Sequence, residues 1–253
     1  MLRAKLTIAG SNFIFGHINE NYNEYLSKEK KLRVIFRGIN VDYFNSKNIS
    51  VLKQEKLKQE WNLSSNTFTI LLPGRLTYWK GQEKFIEALN ILIEDYGISN
   101  FQAIILGSDQ GRKVYSKKLI NLVERYNLNK KVKFINHCKE MPLAYSLADV
   151  VVSASIEPEA FGRVSVEAQS MGKPIIASNI GGSKETIINK KTGFLYKHDD
   201  PRELAKSLNT VIELSIDQLK SIGNEGRKNI TKKFDVEIMC QSNLKEYKRL
   251  IKD

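Results

Sequence analysis

The chain is poor in cysteine, proline and acid, and it has no long apolar run. Among 253 residues there are two cysteines, Cys138 and Cys240. They stand far apart without metal-ligand spacing, so a reduced cytosolic protein is expected rather than a disulfide scaffold. No apolar stretch approaches the ~18 residues of a membrane-spanning helix. Met1 to Ile18 has two early basic side chains and some apolar character, but Gly10, Ser11 and Asn12 break it, which argues against a signal peptide. There is no Asp-x-Asp metal motif, Walker loop or Gly-x-Gly-x-x-Gly fingerprint. His17 and His198 have no acidic or nucleophilic partner in sequence and read as structural. With five prolines, 42% hydrophobic residues, no internal repeat and no low-complexity segment, the chain suffices for one α/β domain and is short for two. Acidic residues are the minority, 28 against 40 Lys and Arg, giving a formal charge of +12. That balance favours anionic partners: nucleotide diphosphates, an anionic membrane surface or nucleic acid. Without aromatics interleaved among the basic residues, nucleic acid ranks last.

What is present centres on Val150 to Thr186. Val150, Val151 and Val152 are β-branched and uncharged, as in a strand buried on both faces of a parallel sheet. Ser153 to Pro158 is small, polar and turn-prone. Phe161-Gly162 leads into Arg163–Met171, where Val164, Ala168 and Met171 share a helical face. Gly172 suits the position past the helix end, and Pro174 stops it. Ile175-Ile176-Ala177 is a second short buried strand, and Gly181-Gly182 opens another helix with Glu185 in its first turn. In open α/β sheets ligands bind at the carboxyl ends of strands, beside helix N-termini, where both Gly-bearing turns lie. The amides from Phe161 to Val164 begin a helix unpaired, and so can receive an anion or a sugar hydroxyl. Glu159 in the turn and Glu167 within the helix are placed to face one crevice. A Glu beside a helix start also stabilises the helix dipole with no ligand at all, and spacing alone leaves both readings open.

The rest of the chain alternates strand and helix. Short strands are expected at Ala4–Ala9 and Leu32–Phe36, with Ser11 capping a helix to Tyr25 between them. Val51–Trp61 is a Lys- and Glu-rich amphipathic helix. The strand Phe68–Leu72 closes on Pro73-Gly74-Arg75, and a loop with Lys80-Gly81 precedes the helix Glu83–Tyr96. Gln102–Leu106 and Lys131–Ile135 are strands, while Val114–Tyr126 and Met141–Leu147 are helices. Gly193-Phe194-Leu195 ends the regular part, and Asp200–Leu214, Ser215–Phe234 and Asp235–Ile251 are helical. Alternation from Phe68 to Ile176 demands right-handed crossovers and a parallel sheet covered on both faces. The expected class is α/β, a Rossmann-like doubly wound parallel sheet with C-terminal helices.

The nine residues Glu159-Ala-Phe-Gly-Arg-Val-Ser-Val-Glu167, followed by Ala168, Gly172-Lys-Pro174 and Gly181-Gly182-Ser-Lys-Glu185, resemble the Glu-x7-Glu motif of retaining GT-B glycosyltransferases of family 4. Pro73-Gly74-Arg75 with Lys80-Gly81 resembles the same family's segment for holding a diphosphate. Arg37-Gly38-Ile39-Asn40 and Phe44 resemble its interdomain linker, with Asn40 where Asp is usual. The resemblance runs from about Leu6 to the end and covers the C-terminal, donor-binding half of a GT-B protein. It implies a remnant of the N-terminal domain and linker over 1–45, a nucleotide-sugar-binding domain over 46–253, and an N-terminal domain largely absent from this chain.

By that resemblance Gly74, Arg75 and Lys80 hold the donor diphosphate, Glu159 holds hydroxyls of the donor sugar, and the amides of Phe161, Gly162, Arg163 and Val164 touch sugar and phosphate. Glu167 takes the ribose hydroxyls, and the base lies near Asn136 and His137. Arg75, Lys80 and Glu159 are the implied catalytic residues. Read alone, a lone Arg and Lys after a strand are solvated surface charges, and His137 is an exposed loop histidine. No metal or other cofactor is implied, since Arg, Lys and amides stabilise the leaving phosphate. The acceptor implied is a glycan or lipid-linked saccharide of the cell envelope, and the expected location is cytoplasmic or peripheral at the inner face of the membrane. Two other readings stay open. One is a non-catalytic nucleotide-sugar-binding remnant, or one subunit of a split enzyme acting with a separate N-terminal domain. The other is a nucleotide-sugar epimerase or a phosphorylase on the same fold.

Overall fold

The structure, a computed structural model, describes residues 4–26 and 31–252. Six strands form the main sheet: β3 (Phe68–Pro73), β4 (Phe101–Leu106), β5 (Val132–Ile135), β6 (Val150–Ser153), β7 (Ile175–Ser178) and β8 (Phe194–Tyr196). Their order is β5-β4-β3-β6-β7-β8, and every pair is parallel. The four central strands are apolar along most of their length, because helices cover both faces. Ile70, Leu71, Ala103, Ile104, Ile105, Val150, Val151 and Val152 are all fully buried. The covering helices are α3 (Gln82–Glu94), α4 (Lys113–Arg125), α5 (Met141–Ser146), α6 (Arg163–Ser170), α8 (Pro201–Ile212) and α9 (Ile216–Lys233). In α3 the buried Phe85, Ile86, Ala88, Leu89 and Leu92 make one apolar stripe. Asp200 caps α8 with Pro201 behind it, and Ser215 with Gln218 closes a capping box on α9.

Chain order runs outward from β3 through β4 to β5, then returns to β6 on the other side of β3. The point of reversal lies between β3 and β6, and the crevice of such a sheet opens there, beyond the carboxyl ends. The expected doubly wound parallel sheet is therefore the one observed. It also has a strand more than the sequence analysis counted. Gly193 to Leu195 does close the regular part, and it does so as a strand, since Phe194–Tyr196 pairs with Ile176, Ala177 and Ser178 as the edge strand β8.

The N-terminal residues make a second, two-stranded parallel sheet of β1 (Thr7–Ala9) and β2 (Leu32–Val34), with α1 (Asn12–Asn21) beside it. Both strands are shorter than expected, because only three residue pairs face each other. Ser11 does cap α1 through a bond from the Ile14 amide, but the helix ends at Asn21 rather than reaching Tyr25. Val51–Glu60 forms α2, close to expectation. The helix opened by Gly181-Gly182 is the single turn α7 (Ser183–Thr186).

The chain crosses between the two sheets twice, at one place. The Ile39 amide donates to the Phe234 carbonyl at 2.8 Å, and the Val236 amide donates to the Ile39 carbonyl at 2.9 Å. Gly38 is required there, since a Cβ would lie 2.4 Å from the Val236 Cα. Asn40 Oδ1 accepts from the Asp42 and Tyr43 amides at 3.1 and 2.8 Å. Asn thus supplies the same turn-making acceptor as the Asp it replaces. The last helix, α10 (Val236–Lys252), contains no buried residue. Tyr247 and Ile251 are exposed, while Leu250 is half-buried and lines a cavity with Leu6 and Arg33.

Candidate functional site

Pro73-Gly74-Arg75 leaves the end of β3 and runs through the short turn Tyr78–Lys80 to Gly81. Gly81 has a φ of +70°, and a Cβ on it would lie 1.9 Å from the Ala154 carbonyl oxygen just past β6. Only glycine permits this approach. The Ile156 amide also donates to the Trp79 carbonyl at 2.9 Å. The loops after β3 and β6 are thereby pressed together across the point of reversal, and their side chains meet.

Lys80 Nζ donates to Glu159 Oε1 at 2.8 Å, with the two side chains 13% and 10% exposed. Ser155 Oγ donates to the same oxygen at 2.5 Å. Both bonds fall on Oε1. Arg75 is exposed beside this pair in sequence, and its carbonyl accepts from Gln82 Nε2 at 2.8 Å. Gly162, also left-handed, begins α6, which has no side-chain cap at its N-terminus. A Cβ on Gly162 would lie 2.8 Å from Ser183 Oγ, so the start of α7 stands against the start of α6. Phe161 and Val164 are buried, while the Arg163 side chain is 72% exposed.

Glu167 has other partners. Its Oε2 accepts from the Tyr145 hydroxyl at 2.7 Å, and its Oε1 accepts from Arg163 Nη2 at 2.9 Å. Burial pushes the Tyr145 hydroxyl well above its usual value, and the Glu167 charge adds to this, so it stays a donor. Glu167 and Arg163 line a cavity of about 650 Å³ with Asn40, Tyr43, Phe44 and Met141. His137 is exposed and is not among the residues lining it.

The third carboxylate, Glu185, sits at the start of α1. It accepts from the Asn12 amide at 2.8 Å, Asn12 Nδ2 at 2.8 Å and the Phe13 amide at 2.7 Å. Ser11 Oγ, which caps the same helix, donates to the Ala160 carbonyl at 2.5 Å. The two-stranded piece is thus held to the rim of the crevice. Sequence reasoning missed Tyr145, Ser155 and the partner of Glu185. Tyr145 was signalled only as one hydroxyl in a short apolar helix, and Ser155 as a small polar residue four before Glu159. Nothing local marks the Glu185 contact, which joins residues 173 apart. Among the described residues there is no cluster of His, Cys, Asp or Glu fit for a metal ion, and no helix long and apolar enough to cross a membrane.

The sheet order, the crevice at its reversal point and the C-terminal helices define a Rossmann-like domain, matching the C-terminal domain of GT-B proteins. The chain belongs to the glycosyl transferases of group 1, whose family model matches residues 53–229. A crystal structure of a glycosyltransferase from Rickettsia africae superposes with a TM-score of 0.92 at 34% identity, covering 98% of this chain and 64% of that one. Anabaena HepE, solved in complex with UDP-glucose, gives a TM-score of 0.85 at 28% identity, with 97% and 64% covered. The Staphylococcus aureus capsular polysaccharide biosynthesis glycosyltransferase CapM is 26% identical over 235 residues, 90% of this chain and 58% of that protein. The chain thus spans less than two thirds of the length of each.

Proposed function

We propose that this chain is the donor-binding half of a retaining, family 4 hexosyltransferase that takes sugar from a nucleoside diphosphate. The observation that carries this is the half-buried Lys80–Glu159 pair at the reversal point, between two loops held together by backbone contacts. A largely desolvated ion pair is weak evidence for stability, because desolvation offsets most of the attraction. Its place between the two loops at the reversal point suits a diphosphate and a sugar better than it suits folding. Lys80 has three N–H donors and can keep Glu159 while taking a phosphate oxygen. Arg75, exposed and unencumbered by a carboxylate in the described contacts, adds a forked donor for the same diphosphate. Glu159 Oε1 is occupied by Lys80 and Ser155, which leaves Oε2 for a hydroxyl of the donor sugar. The uncapped amides at the start of α6 face the developing charge, and Glu167 receives the ribose. In this scheme Arg75, Lys80 and amides neutralise the leaving diphosphate, and no metal is assigned a part.

Residues 1–45 belong in this reading to the N-terminal domain and linker, and 46–253 to the donor domain. The acceptor, a glycan or lipid-linked saccharide of the cell envelope, is brought by an N-terminal domain carried on further sequence or a separate chain. The +12 charge suits a cytoplasmic protein resting on an anionic membrane face. The test is calorimetry with UDP and GDP on the 253-residue chain. Arg75→Ala should weaken nucleoside diphosphate binding by about 1.5–3 kcal/mol, the scale of a charged hydrogen bond. Equal affinity in the two proteins defeats the assignment. Transfer by the chain alone should be close to nil without an added N-terminal domain, because holding two reactants together supplies about 7–11 kcal/mol of barrier lowering.

A further inference from the structure

We propose that Tyr145 is a positioning residue that sets the orientation of the Glu167 carboxylate and, through it, the preference of the site for an intact ribose. This rests on the reading that Glu167 receives the ribose. Glu167 has one oxygen on each of two very different donors. Arg163, on Oε1, belongs to an exposed side chain free to swing into water. Tyr145, on Oε2, is completely buried and bonded at 2.7 Å.

The ring of Tyr145 is fixed from behind. Phe44 packs edge-on against it, with centroids 6.1 Å apart and planes at 68°. Phe44 is anchored in turn, since its carbonyl accepts from Ser170 Oγ at 2.8 Å and from Arg227 Nη1 at 2.9 Å. A tyrosine so held has one direction in which its O–H can point. It therefore fixes the carboxylate plane, while Arg163 can follow. A carboxylate offers about four lone-pair directions, and these two donors use two of them. The remaining two are left for a pair of vicinal hydroxyls entering from the cavity that Glu167 lines. Without Tyr145 the carboxylate rotates freely about its last bond, and the geometry suited to a diol is lost while its charge remains.

The experiment uses the full 253-residue chain and calorimetry with UDP and GDP, each beside its 2′-deoxy and 3′-deoxy form. The wild type should prefer the intact nucleotide by roughly tenfold or more, as for loss of one charged hydrogen bond. Glu167→Gln and Tyr145→Phe should each reduce that preference to below about threefold, and the double variant should reduce it no further. Wild-type protein with no preference overturns the placing of Glu167 on the ribose, and this proposal with it. A preference lost in Glu167→Gln but kept in Tyr145→Phe overturns the proposal alone. A merely structural tyrosine would weaken both nucleotides alike and leave their ratio unchanged. If Tyr145→Phe does not fold, the wild type labelled at tyrosine Cζ gives the same answer. One buried tyrosine signal should shift with the intact nucleotide and not with its deoxy forms, and its failure to do so overturns the proposal.

Discussion

The six-stranded sheet and the two-stranded sheet are both parallel, yet they are sustained differently. The larger one is covered on both faces and includes strands of up to six residues whose side chains are wholly buried. The smaller has two strands of three residues, and α1 beside it has no buried side chain. A two-stranded sheet of that length does not sustain itself in water. What holds it includes contacts from the other region: Glu185 on the start of α1, Ser11 on Ala160, the backbone bonds at Ile39, and Phe36 edge-on against Phe234 at 5.3 Å. One region is stable through its own packing, and the other is held by contacts the first provides.

The comparison is sharpest in the two cores. Leu71→Ala, at a fully buried position of β3, should cost about 2–5 kcal/mol in denaturant unfolding. Leu32→Ala in β2 should leave the main transition in place and raise amide exchange over 7–9 and 32–34 only. Equal losses from the two substitutions would break the distinction. Next in size is Glu185→Ala. It removes an acceptor of three donors, so α1 should open more readily by about 1–3 kcal/mol in hydrogen exchange, while β3 to β7 keep their protection. Ser11→Ala should act in the same place and by less, about 0.5–2 kcal/mol, as for loss of an N-cap.

A further effect is alkaline and belongs to the larger region alone. Burial raises the hydroxyls of Tyr115, Tyr145 and Tyr196 above their usual value of 10.0, and all three lie in the larger region. A raised folded value means that stability is fully present below pH 10 and is lost as pH rises past it. Thermal unfolding followed across that range should show the loss in the main transition. A loss confined to α1 would run against it.

Most of the larger region was legible in the sequence because apolar strands and glycine turns follow one another at close spacing. Phe68, Phe101, Val132, Val150 and Ile175 each begin a strand within a residue of expectation. The edge strand β8 was not, since Phe194-Leu195-Tyr196 is too short to show a pattern and exists only by pairing with β7. The small sheet was overdrawn for a related reason. Apolar character continues past Val34, but the partner strand does not, and strand length is set by the pairing. In the site, Lys80 and Glu159 were named and are found in contact. Glu167 was named without its partners, because the Tyr145 contact depends on where α5 docks and local spacing does not give that.

The double crossing has a consequence for how such a protein can change over evolutionary time. Residues 42–233 leave and return at neighbouring atoms, since Ile39 is bonded to both Phe234 and Val236. The excursion is a cassette with both ends at one socket. A segment whose ends already touch can be lifted out or replaced without opening the host, because closing the gap costs little chain entropy. Recombination at 38–41 and 234–236 would then exchange the larger sheet with its flanking helices while leaving the small sheet as it was.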